Sequence, residues 1–148
     1  MSFGSLRLTR ELAKLKEENI EGVKIIPTEN ILIWEADIEG PVGTPFEEGI
    51  FRLSLKFSND YPLVPPSVKF ITDIYHPNVY KDGKICVDIL QSEWSPGQNI
   101  SSILISIRSL LIDPNPNSPA NRDAAVIFLR NRNEYDKRVK ERIFNRIV

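Results

Sequence analysis

Cysteine and histidine are nearly missing from these 148 residues, with one of each, Cys86 and His76. A single thiol cannot close an internal disulfide, so a disulfide-held secreted scaffold is excluded. Excess charge of either sign is missing too. Nineteen basic and twenty acidic side chains leave a formal net charge of -1, which argues against a protein built to neutralise nucleic-acid phosphates, and no direct nucleic-acid partner is expected. No stretch is long and apolar enough to span a membrane. The opening residues Met1-Ser2-Phe3-Gly4-Ser5 lack the apolar core of a secretion signal, and cytoplasm and nucleus are the expected compartments. Repeats and low-complexity tracts are absent. The length suits one domain over residues 1–148, with no extension, and allows a real hydrophobic core.

The apolar residues that are present fall into two periods. Over residues 6–18, Leu8, Leu12 and Leu15 share one helical stripe, with Ser5 available as a cap. Arg7, Arg10 and Lys14 gather on another stripe of the same helix. The period then drops to two, most cleanly where Phe51, Leu53, Leu55 and Phe57 alternate with more polar neighbours, the mark of a half-buried strand. Weaker strand patterns lie at 23–26, 31–38 and 68–70, with turn residues between, and short connections predict an antiparallel meander. Residues 61–66 hold Pro62, Pro65 and Pro66 and predict a rigid surface loop, with Tyr61-Pro62 a candidate cis bond. Neither period holds over 73–99, and a stretch that long without regular structure is usually functional. Helical spacing returns at Ile100, Ile103, Leu104, Ile107, Leu110 and Leu111, capped by Asn99 or Ser101, in what is expected to be the most buried helix. Two further helices are expected at about 122–130 and 134–146. The fold class is therefore α+β, with helices segregated to the ends of an antiparallel sheet.

Chemistry concentrates in the irregular stretch. A lone cysteine between Ile85 and Val87 is, by itself, more often a small hydrophobe than a nucleophile. The Asp82-Gly83 turn just before it and the lack of strand alternation favour a shallow groove. If Cys86 is a nucleophile, His76 is the one imidazole available to take its proton, and a cysteine hydrolase stands as one reading. A carrier of an activated acyl group needs the opposite, because a general base beside the thioester would hydrolyse the cargo. Asn78 offers an amide donor of the kind that stabilises an oxyanion without acting as a base. An asparagine that bonds its own loop backbone is the equally weighted reading, and His76 reads as a ring satisfied by loop backbone.

Three motifs, Tyr61-Pro62-Leu63-Val64-Pro65-Pro66, His76-Pro77-Asn78 with Cys86 ten residues after the histidine, and Trp94-Ser95-Pro96, stand in the order and spacing of ubiquitin-conjugating enzymes. The chain resembles that family from end to end. The resemblance implies an N-terminal helix, a four-stranded meander, a long active-site loop and three helices. It implies that Cys86 carries ubiquitin as a thioester received from the activating enzyme, in an ATP-driven pathway, and passes it to a substrate lysine. Asn78 is implied to support the oxyanion and the loop, with Pro77 beside it, and Tyr80 to line the lysine channel. Many members place an aspartate opposite the cysteine, and here that position is Ser118, which Pro119 also makes a fit for proline-directed phosphorylation. Arg7, Arg10 and Lys14 match the surface that meets the activating enzyme. Leu63, Ser95, Pro96 and Gly97 match the surface for RING-type ligases. No metal or organic cofactor is implied. Segments 43–47, 88–91 and 117–121 look most like the branch that ubiquitylates histones and the replication clamp in DNA-damage tolerance, while Leu63-Val64 is more apolar than that branch's usual pair. A non-catalytic ubiquitin-binding variant of the fold is the second reading.

Overall fold

A computed structural model describes residues 2–147. Helix α1 covers Phe3–Glu17 and starts three residues earlier than the leucine stripe suggests, because Ser2 rather than Ser5 is its cap. The Ser2 hydroxyl accepts from the Ser5 amide at 3.0 Å, satisfying one of the donors a helix start leaves open. Leu8 and Leu15 are buried and Leu12 packs against the same core.

Four strands follow, β1 (Val23–Ile26), β2 (Ile33–Glu39), β3 (Ile50–Lys56) and β4 (Ser67–Phe70), paired antiparallel in chain order. β2 begins two residues after the apolar pattern does, since Ile31 and Leu32 belong to the turn before it. The register sets Trp34 opposite Leu55, Ala36 opposite Leu53 and Ile38 opposite Phe51. All six are buried, and fully removing each larger side chain from water is worth about 1.5–3 kcal/mol. Between them on the other face, Arg52 donates to both oxygens of its cross-strand partner Asp37, at 2.8 and 3.0 Å. A one-residue slip would bury that ion pair and expose the core row.

The Tyr61-Pro62 bond is cis. The long irregular stretch that follows β4 contains one 3₁₀ turn, Asp88–Leu90, and isolated β-bridges at Lys84 and between Val79 and Ile85. Helix α2 (Ile100–Ile112) is capped by Asn99, whose side chain accepts from the Ser102 amide at 2.8 Å. It ends at Asp113, the residue that Pro114 holds out of helical conformation. Ile100, Ile103, Leu104, Ile107 and Leu111 are buried in the same hydrophobic cluster as the inner rows of β2 and β3. Helix α3 (Arg122–Arg130) keeps its expected bounds. Helix α4 (Arg132–Ile147) begins two residues ahead of expectation, leaving only Asn131 between the two. No helix among the described residues is long and apolar enough to cross a membrane.

Candidate active site

The stretch 78–86 folds into a tight hairpin. The Tyr80 amide donates to the Lys84 carbonyl at 2.8 Å, the Gly83 amide to the Tyr80 carbonyl at 2.9 Å, and the Cys86 amide to the Asn78 carbonyl at 2.8 Å. Gly83 makes the turn possible with φ of +94°, and a Cβ there would lie 2.1 Å from the Phe70 carbonyl oxygen. Only glycine meets both demands. The Phe70 amide in turn donates to the Gly83 carbonyl at 2.8 Å, so the hairpin is fastened to β4.

Alternation within the hairpin sorts its side chains. Val79 and Ile85 pair with each other and are buried. Asn78, Tyr80, Lys84 and Cys86 therefore project from the opposite side. Cys86 is half-buried and free, which fits a groove rather than a core position. Its side of the hairpin is bordered by the loop after α2. Asn78 is fully buried and holds that loop: its Nδ2 donates to the carbonyls of Asn115 at 2.7 Å and Ser118 at 3.1 Å, and its Oδ1 accepts from the Asn115 amide at 2.8 Å. The Pro77 carbonyl accepts from Ala120 and Asn121 at 2.8 and 3.0 Å. Ser118 is thus fixed through its carbonyl and stays exposed. Both amide hydrogens of Asn78 are spent. The loop-holding role expected of Asn78 is therefore seen, and donation to an oxyanion would require one of these two bonds to be exchanged.

His76 has no side chain function left for catalysis. It is fully buried, its Nδ1 accepts from the Asn78 amide at 2.9 Å, and its Nε2 lies 2.7 Å from the Leu110 carbonyl. That geometry requires the tautomer protonated at Nε2. Burial lowers its pKa to about 4, and the bond to Leu110 offsets this only in part. Among the described residues no group of three His, Cys, Asp or Glu side chains is placed to hold a metal. The thiol thus stands half-exposed on a sheet-anchored hairpin, and the chain's one histidine faces backbone groups in the core.

Residues 7–143 match the family described as ubiquitin-conjugating enzyme. The chain belongs to the ubiquitin-conjugating enzyme family. It is 57% identical over 136 residues to a Caenorhabditis elegans protein named ubiquitin-conjugating enzyme E2 1, covering 91% of this chain and 71% of the relative. It is 50% identical over 138 residues to the Candida glabrata and Kluyveromyces lactis proteins named ubiquitin-conjugating enzyme E2 2. Those matches cover 93% of this chain and 83% and 84% of the two relatives.

As a family member, the chain shows where its other candidate residues stand. Tyr80 is 46% exposed and borders a polar groove of about 530 Å³ with Asp73, Asn121, Arg122 and Arg142. Leu63 is 73% exposed at the tip of the proline loop, and Ser95, Pro96 and Gly97 are exposed in the second loop. The Trp94 indole ties the two loops by donating to the Pro62 carbonyl at 3.0 Å. The basic stripe of α1 divides. Arg10 and Lys14 are exposed, whereas Arg7 donates to the carbonyls of Pro96 at 2.8 Å and Gln98 at 2.6 Å and pairs with Glu11 at 3.3 Å. Arg7 is thus bonded within the chain, while Arg10 and Lys14 of the same stripe face solvent. Glu11 itself escaped the sequence reading. Its carboxylate accepts from the Ile100 amide at 2.8 Å and the Tyr61 hydroxyl at 2.5 Å, joining α1, the first loop and the start of α2. The one signal available was an acid placed four residues after Arg7 inside a basic stripe.

Proposed function

We propose that this chain is a working ubiquitin-conjugating enzyme: the Cys86 thiolate accepts ubiquitin from the activating enzyme by thioester exchange, and a substrate lysine then takes it. The sequestered His76 is the observation that carries this reading. A hydrolase needs an imidazole within reach of its thiol, and here both ring nitrogens face backbone groups inside the core. Cys86 without a neighbouring base holds an acyl group against water and yields it to an amine. The presence of the thiol disfavours a purely ubiquitin-binding role.

The other residues take positioning parts. Asn78 keeps the 115–118 loop in place against the hairpin, which holds the Ser118 backbone beside it. Ser118 presents a neutral hydroxyl where a carboxylate would draw a proton from the incoming lysine, so unassisted transfer is slow near neutral pH and ligase help matters more. Tyr80 lines the approach for that lysine. Arg10 and Lys14 steer the activating enzyme, and Leu63 with Ser95, Pro96 and Gly97 receives a RING-type ligase. The segments 43–47, 88–91 and 117–121 favour the histone and damage-tolerance branch, acting in nucleus and cytoplasm.

Incubation with activating enzyme, ATP and a panel of ubiquitin-like modifiers, read on a non-reducing gel, tests the central step. Ubiquitin is expected to give an adduct that thiol reductants cleave. Cys86→Ala removes it with the fold intact, and Cys86→Ser gives an ester that reductants leave in place. A reductant-cleaved adduct on the Cys86→Ala protein would overturn the assignment.

A further inference from the structure

The polar groove beside Tyr80 carries positive charge that nothing in the chain balances. One wall of it is the hairpin, through Val79, Tyr80 and Lys81, and the other is 120–122. The two walls are bound together, since the amides of Ala120 and Asn121 both donate to the Pro77 carbonyl. The bridge between Val79 and Ile85 sets Cys86 across from Asn78, with Tyr80 two residues further along that strand. The groove therefore adjoins the segment that carries the thiol. The carboxylates around it are engaged. Both oxygens of Asp73 accept from Arg142, at 3.1 and 3.0 Å. Asp123 accepts from the Tyr75 hydroxyl at 2.6 Å and from Arg138 at 3.1 Å. Asp82 accepts from the Lys84 amide at 3.0 Å, with the Lys84 ammonium 3.9 Å away. Lys81 and Arg122 are exposed and form no ion pair among the described residues. Arg122 is also the first residue of α3, where a cation works against the helix dipole, so helix stability does not account for its charge.

Resting on the thioester reading of Cys86 and on Tyr80 as a wall of the lysine's path, we propose that this groove selects among substrates by charge. It takes a carboxylate side chain that lies close in sequence to the acceptor lysine, and Arg122 and Lys81 are its specificity-determining residues. The planar guanidinium of Arg122 matches a carboxylate with two parallel hydrogen bonds, while Lys81 adds a flexible point charge from the turn. A substrate with basic residues in the same place meets these two cations and the Arg142 guanidinium, so selection works by repulsion as well as attraction. The contacts are the same before and during lysine attack, which places their effect on how much substrate is needed rather than on the rate at saturation. Exposed ion pairs are weak and screened by salt, so the preference is several-fold and fades as ionic strength rises.

The test charges the full chain with lysine-free ubiquitin, quenches the activating enzyme and adds one of three single-lysine peptides, whose neighbours on both sides of the lysine are Glu, Gln or Arg. Transfer to peptide is followed against peptide concentration at low and high salt. For the parent, the Glu peptide is expected to half-saturate at about fivefold lower concentration than the Gln peptide, the effect of two exposed ion pairs, and the Arg peptide at higher concentration than either. Arg122→Glu with Lys81→Glu is expected to invert the order, making the Arg peptide the best acceptor. Lys140→Glu is the control, because Lys140 is exposed on α4 two residues from Arg142 and so leaves the helix on another side; it is expected to keep the parent's order. Ubiquitin that passes to all three peptides equally well, or an order that the double variant leaves unchanged, overturns the charge selection alone. A parent chain that forms no thioester, or loses it only to water, overturns the reading of Cys86 and this inference with it.

Discussion

Two buried side chains, His76 and Asn78, do more for this site than their exposure suggests. Their types and positions were legible in the sequence as a short motif, but their partners were not, because Leu110, Asn115 and Ser118 lie 34 to 40 residues away. An amide and an imidazole look equally fit for chemistry or for holding loops until those distant carbonyls are placed. His76 yields a pH prediction. Its pKa is about 4 folded against 6.5 as a free side chain, so between those values the unfolded chain binds more protons. The stability it contributes is complete above about pH 6.5 and falls as pH drops toward 4, by up to about 3 kcal/mol. Urea midpoints measured from neutral pH downward are expected to show this fall in the parent. His76→Asn is expected to lack that part of the slope, whatever it does to the midpoint itself. Parallel slopes for the two proteins would show that the imidazole stays charged in the fold.

Among the elements, the helices and strands followed their periods closely, since long amphipathic patterns survive tertiary packing. The differences cluster at ends, where caps decide: Ser2 outcompetes Ser5 for α1, and α4 starts directly after Asn131. Between elements the sequence was nearly silent. The stripe of Arg7, Arg10 and Lys14 looks uniform as a pattern, yet only contact with the 95–98 loop reveals that Arg7 acts as a bracket. Arg7→Ala is expected to destabilise by about 1–2 kcal/mol, as charged hydrogen bonds to loop carbonyls are lost. Arg10→Glu with Lys14→Glu is expected to leave stability within about 0.5 kcal/mol and to slow charging in a salt-dependent way. Denaturation curves and charging rates at low and high salt separate the two behaviours. Equal stability losses for both variants would remove the distinction.

At the scale of the whole molecule, the proposed function gives α1 two surfaces, one through Arg10 and Lys14 and one through its bonds to the loops that carry Leu63 and Pro96. These surfaces are separable by substitution. Leu63 is exposed on the second, and on the proposed function Leu63→Ala is expected to weaken binding to a RING domain by about tenfold, the effect of losing one apolar anchor. Charging should be unaffected. A titration with a RING domain in which Leu63→Ala matches the parent would remove this loop from the ligase surface. The hairpin fastened to β4 has a consequence of another kind. A terminal strand of an open sheet offers unpaired amides and carbonyls to any other chain that presents its own. By taking up the Phe70 amide and pairing at Lys69, the segment that carries the thiol also covers the end of that border. Loosening this hairpin would therefore surrender a safeguard against sheet-to-sheet aggregation as well as the placement of Cys86, so that on the proposed function solubility and activity depend on the same few bonds.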